Sequence, residues 1–327
     1  MRRARAILPF LPTLALLGFL AGLLLAGLRE PVRWAEHTYI LGNLTGSGRE
    51  VIPPYGPLTR VDVYEHGTNT LERAHLYVLG SDAGGRDVLV LIAHGALLSL
   101  QLVVLVVVLR ILLGLLMGVA MGLGSRPVRT LTVVAGRWVA GFPYLVLAIV
   151  LITALSGWSS FGAFVLAMAM VGWRDVAQLT ADRVEAVLTQ PYAEAATALG
   201  SSRLRTFFRH VVPHLRPVLV TETAFQASAV LVLLGELGYL QFFLGIPFKF
   251  NDVLLPQPEL GALLSVARDY ILSEQWTPVL APAGAIALLA LAFELLGLAL
   301  RGRWALPSRG RSGPSRSGAT RDRQGPA

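Results

Sequence analysis

The sequence predicts an all-α integral membrane protein, a bundle of about six transmembrane helices with both termini cytoplasmic. Composition is the first reason: 54% of the 327 residues are hydrophobic and 15% charged, too little charge to cover a soluble domain of this length. Segment length is the second. The apolar stretches reach the roughly 20 residues that carry a helix across about 30 Å of hydrocarbon. Charge placement is the third: apart from Lys249 every fixed positive side chain is Arg, and the Arg residues gather between apolar stretches.

The first span opens on Met1-Arg2-Arg3-Ala4-Arg5 and its apolar run, 7–28, is longer than that of a cleavable signal peptide, so it reads as a retained helix. The stretch 29–87 holds Pro53-Pro54, mixed charges and no sustained periodicity, and reads as an extracytoplasmic loop. The apolar run 88–124 is too long for one crossing. His94, Ser99 and Gln101 interrupt its first part, so an interfacial helix over 88–98 and a span over 99–123 are expected. A basic turn containing Arg126 and Arg129 leads to a third span over 131–155, an outer turn at Trp158 and a fourth span over 161–180. The fifth and sixth spans cover 218–237 and 278–300, separated by a second outer loop that Pro247, Pro256 and Pro258 break. The domain plan is therefore a helix over 1–28, an outer loop over 29–87, a core over 88–303 with a cytoplasmic loop at 181–217, and an Arg-rich tail over 304–327 expected to be disordered. In this arrangement Arg2, Arg126, Arg129, Arg209, Arg216 and Arg303 share one side, while the turn at Trp158 carries no Arg, which puts both termini in the cytoplasm.

The formal charge of +8 raises nucleic acid as a partner, but no basic-aromatic platform accompanies it, and none is expected. With no cysteine, thiolate catalysis, cysteine zinc sites and disulfides are excluded. There is no G-x-x-x-x-G-K-[ST] run to cradle a nucleotide, and neither Gly46-Ser47-Gly48 nor Ser159-Ser160 makes a nucleophile elbow, so the chain does not read as an enzyme. His37, His66 and His75 share the first outer loop at a spacing that fits no metal pattern and read as solvated surface side chains.

One cytoplasmic segment is unusual for a loop. Tyr192-Ala193-Glu194-Ala195-Ala196-Thr197-Ala198-Leu199-Gly200 is rich in strong helix formers, and Gly200 is placed to end that helix in the left-handed conformation. Ser201 or Ser202 can cap a second helix carrying Arg203, Arg205 and Arg209, which Pro213 and Pro217 would stop. The result is a compact elbow with a small Ala face and one acidic group for a basic partner. Inside the membrane, Arg110 near the middle of the second span is costly and marks a bundle-facing position on the pathway or paired across the bundle. Its candidate partners are Asp175, Glu222, Glu236 and Glu294.

Glu194-Ala195-Ala196, Gly200 and Arg209-His210-Val211-Val212-Pro213 resemble the EAA loop of binding-protein-dependent ABC permeases. Leu79-Gly80-Ser81-Asp82-Ala83-Gly84-Gly85-Arg86-Asp87-Val88-Leu89 resembles the G-T-D-x-x-G-R-D-V-L signature of the dipeptide and oligopeptide importer branch. The stretch from Pro258-Glu259-Leu260-Gly261 through Pro282 and Gly284 to Phe293-Glu294-Leu295-Leu296-Gly297 is similar to that branch's ending, with Leu260 for Trp and Glu294 for Asn. His214, Gln178, Ala181 and Gly302 depart from the family pattern as well.

The resemblance implies a type I ABC importer permease. By it, Glu194, Ala195, Ala196 and Gly200 couple to a separate ATPase; Arg110, Glu222 and Glu236, read from their places within the spans, are expected as pathway or intramembrane pairing residues. It also implies a second permease subunit, two cytoplasmic ATPase subunits and an extracytoplasmic solute-binding protein. ATP would be bound by the partner, with no cofactor and no metal in this chain. Peptide cargo is expected, with nickel or another small solute as the alternative and ion-coupled secondary transport as the rival class.

Overall fold

The computed structural model describes residues 11–29, 43–44, 50–51, 53–64, 71–155, 160–192, 199, 202, 205, 207–244, 248–250, 253–255 and 259–305. Helix dominates. In chain order the elements are α1 (Leu11–Leu28), strands β1 (Asn43–Leu44), β2 (Glu50–Val51), β3 (Thr59–Tyr64) and β4 (Leu71–Tyr77), then α2 (Val88–Leu123). Next come α3 (Arg126–Ala140), α4 (Tyr144–Ala154), α5 (Ser160–Leu188), a π-helical turn (Phe207–Val211) and α6 (Val212–Tyr239). Strands β5 (Phe248–Phe250) and β6 (Val253–Leu255), short helices α7 (Leu260–Leu264) and α8 (Ala267–Leu272), and α9 (Thr277–Ala305) complete the chain.

Length and composition make α2, α6 and α9 membrane spans, and α3 with α4 form a pair bent by 104°. The expected break near Leu98 is absent: α2 runs unbroken for 36 residues, about 54 Å. Ser99 is satisfied sideways instead of breaking the helix, being fully buried and bonded to the start of α7, while Gln101 is exposed. Opening a backbone ladder in apolar surroundings costs more than that.

The expected single span over 131–155 is also corrected. Gly141-Phe142-Pro143 separates α3 from α4, because Pro143 has no N–H to offer and disfavours a helical Phe142. Conversely, α5 continues to Leu188, eight residues past the expected end of the fourth span. Nor do the two prolines stop a helix before the fifth span. Pro213 sits in the first turn of α6, where a missing N–H is harmless, and Pro217 lies inside it.

Helix packing follows small residues. Gly114, Gly118 and Gly122, one turn apart on α2, face Val176, Thr180 and Val184 of α5, and a Cβ on any of the three would overlap those side chains. This is the close approach that glycine at every fourth position permits between membrane helices. Gly297 of α9 packs likewise on the ring of Phe225, and Gly238 of α6 on the backbone of Gly261. The core includes Val106, Met168, Val171, Val230, Leu231 and Leu234. Away from it, Val104, Val108, Leu112 and Leu116 form an exposed apolar stripe along α2, suited to lipid.

The segment between α1 and α2 contains an antiparallel sheet, order β2-β1-β3-β4. Its longest pairing sets Thr59 opposite Tyr77 and Asp62 opposite Ala74. Alternation of Val61 and Val63 with Arg60 and Asp62 drives β3. Val61 packs with Tyr55 and Tyr77 in a small core of its own.

Candidate functional site

Three places carry the polar groups singled out in the sequence. The first is a buried layer in the bundle. Arg110 is 2% exposed; its Nε donates to the Met168 carbonyl at 3.0 Å and its Nη1 to Gln226 Oε1 at 3.0 Å. The Gln226 amide donates in turn to Glu222 Oε1 at 2.9 Å. Gly172 makes the room, since a Cβ there would strike the guanidinium. Arg110 thus joins α2, α5 and α6 through a neutral amide, with Glu222 one bond further out. Of the other candidate partners, Asp175 makes no printed bond to Arg110 but is near enough for its charge to act on the guanidinium; it accepts from the Tyr144 hydroxyl at 2.6 Å and stands 3.8 Å from Arg174, while Glu236 and Glu294 are exposed. Sequence reasoning misses Gln226 because it weighs only charged partners, although the spacing of four from Glu222 is a readable signal.

The second place is the glycine-rich loop before α2. Asp82 Oδ1 accepts the backbone N–H groups of Gly84 and Arg86 at 3.0 and 2.8 Å, and Oδ2 holds the Arg86 side chain at 2.7 Å. Both side chains are buried. Gly80 and Gly85, with φ of +78° and +74°, take the left-handed turns this requires. Asp87 caps α2 by accepting from the Leu89 N–H at 2.8 Å and also meets His75 Nε2 at 2.7 Å. His75 is therefore no solvated surface group, since it is partly buried and edge-on to Tyr77. His37 and His66 lie outside the described residues.

Two contacts tie the glycine-rich loop and the start of α2 to the segment before α9. The Tyr270 hydroxyl accepts from the Ala83 N–H at 2.8 Å, and burial pushes its phenol well above the usual range, with the nearby Asp82 charge adding to the shift. Capping α7, Glu259 is 5% exposed, accepts from the Gly261 and Ala262 N–H groups at 2.9 Å each, and meets the Ser99 hydroxyl at 3.4 Å. Neither link is visible in sequence, because their partners lie 187 and 160 positions apart.

The third place is the elbow. Glu194, Ala195, Ala196 and Gly200 lie outside the described residues. Its flanks do not. Val184 and Val187 at the end of α5 pack with Phe207, Val211 and Leu215, so the segments leading into and out of the elbow are clamped together.

The family described as binding-protein-dependent transport system inner membrane component matches this chain over residues 110–305. The chain belongs to that family. The matched part of the permease takes in the buried Arg110 layer and the elbow and leaves out α1 and the sheet. The permease is 31% identical over 223 residues to the dipeptide transport system permease protein DppC of Alkalihalophilus pseudofirmus, covering 68% of this chain and 69% of that one. It is 31% identical to the di/tripeptide transport system permease protein DppC of Pseudomonas aeruginosa, covering 69% and 70%. Against the dipeptide transport system permease protein DppC of Escherichia coli K12 it is 36% identical, covering 70% and 71%. The permease is a multi-pass inner-membrane component of an ABC transporter, a transport protein by family rather than an enzyme.

Proposed function

We propose that this permease forms half of the translocation path of an ATP-driven importer for short peptides. In this reading it spans the membrane about six times with both termini cytoplasmic. Its assembly contains a second permease, two cytoplasmic ATPase subunits and an extracytoplasmic solute-binding protein. Glu194, Ala195, Ala196 and Gly200 dock into the ATPase, which alone binds ATP. Closure of the ATPase pair pulls on the elbow and shifts the bundle between two states, nucleotide biasing one of them. Arg110, Glu222 and Glu236 belong to the pathway or to the pairing that holds it.

The observation that carries this reading is the family match across 110–305, which contains the elbow. Packing of Val187 on Phe207 supports it, because a pull on the elbow would be passed to α5 and α6 together. Peptide cargo rests on the names of the relatives. Nickel or another small solute is the second reading, since the same branch handles it by the resemblance above.

Reconstitution with the partner subunits tests both parts. Glu194→Lys is expected to leave the permease folded and inserted but to lose co-purifying ATPase; undiminished co-purification ends the coupling assignment. Labelled dipeptide uptake should stop on ATP depletion and survive an uncoupler. The reverse pattern would make it an ion-coupled transporter, and uptake of nickel without dipeptide would move the cargo to the second reading.

A further inference from the structure

Helix α3 departs sharply from the direction of α4, the helix with which it has the length and composition of one span. Its 15 residues carry Arg126, Arg129 and Arg137, and it meets α4 at a 104° bend. α4 is apolar but for Tyr144 and Thr153 and packs into the bundle against α5, so a helix bent 104° from it runs across the direction of the bundle. At 100° per residue the three Arg residues and Thr130 share one side, and Val128, Leu131, Val134, Ala135 and Trp138 the opposite one.

The protein covers the seam between them and reaches Val133 within the Arg-bearing side: Thr132 and Gly136 are buried, with Gly136 against Met121, Trp173 and Arg174, and Val133 and Val139 are half-buried against Met121 and Trp173. The apolar side is open. Leu131 is 70% and Trp138 69% exposed, far more than isolated side chains of this size need be.

We propose that α3 is an in-plane anchor whose occupant is the anionic lipid surface of the cytoplasmic leaflet. Leu131, Val134 and Trp138 enter the acyl boundary, and Arg126, Arg129 and Arg137 meet phosphate headgroups. Three arginines opposite an apolar stripe with an interfacial Trp are the arrangement that holds a helix at such a boundary. Placement in the cytoplasmic leaflet rests on the orientation proposed above, but not on the cargo or the ATPase. The anchor fixes the Tyr144 end of α4, whose hydroxyl reaches Asp175 of α5, so it also braces α4 against α5.

The chain has no cysteine, so a single introduced thiol can be labelled alone. Leu131→Cys and Arg129→Cys, each spin-labelled on the full-length chain, are compared in nanodiscs of phosphatidylglycerol and of phosphatidylcholine. The label at 131 should collide with oxygen several-fold more than with a water-soluble nickel chelate, and the label at 129 the reverse. The label at 131 should also sit deeper in phosphatidylglycerol than in phosphatidylcholine. Adding Arg126→Gln and Arg137→Gln should erase that lipid difference.

A label at 131 shielded from both reagents puts a protein partner on this face and overturns the proposal, as does free access of the chelate. Equal depth in both lipids overturns the headgroup contact. In intact cells, labelling of the thiol at 129 by an impermeant reagent from outside would instead show that the six-span orientation is inverted, with the membrane-surface role of α3 unaffected.

Discussion

At the scale of single residues, a buried guanidinium is tolerated here because every direction around it is arranged. Arg110 has a carbonyl and an amide oxygen to bind, and the missing side chain at Gly172 leaves it room. Gly172→Ala is expected to push the guanidinium off both acceptors at a cost of about 1–3 kcal/mol, the range for overfilling a packed core. In an Arg110→Leu background the same substitution should cost much less. Thermal unfolding in detergent across the four variants measures the coupling, and additive effects would show that the two positions do not interact.

Tyr270 offers a test by pH. Its folded phenol titrates above the ordinary value of about 10. The stability it contributes is therefore complete below pH 10 and lost as pH climbs through the raised value. Wild type should lose melting temperature above pH 10 more steeply than Tyr270→Phe; parallel curves would remove Tyr270 from the balance.

At the scale of elements, the α2–α5 contact depends on backbone proximity rather than on large side chains. Gly118→Val should strike the Ala177 carbonyl and Thr180, separate the two helices and sharply lower folded yield. A methyl group added at Gly284 of α9 meets nothing within 4 Å, so Gly284→Ala should fold as wild type does. Size-exclusion profiles of the two variants give the comparison, and equal yields would mean that the glycine seam is not what holds α2 to α5. The same seam explains why α5 runs on to Leu188: Gly122 against Val184 keeps the pair packed beyond the apolar stretch.

For the molecule as a whole, the arrangement is two polar ends joined by an apolar bundle. The end at the glycine-rich loop is latched by Asp82, Arg86, Asp87 and Tyr270, and the segments flanking the elbow are clamped by Val187, Phe207 and Val211. Orientation is the property on which the proposed coupling depends. Ser202→Cys, the sole thiol of such a variant, should react with a membrane-impermeant maleimide only after cells are opened. Reaction in intact cells would place the elbow outside and defeat the ATPase assignment.

What the amino-acid order determined alone was class, family and the positions of the long apolar helices α2, α6 and α9. Runs of apolar residues have no other low-energy solution in a bilayer, and short motifs such as Glu194-Ala195-Ala196 and Gly80 to Asp87 keep their spacing in linear sequence. The break at Pro143 and the alternation in β3 are also written locally, though apolar length, weighed first, conceals them. Tertiary structure alone decided which polar groups meet. Arg110 found Gln226 across 116 positions and Ser99 found Glu259 across 160, because burial punishes any unpaired donor and rewards whichever acceptor the packed helices bring within about 3 Å.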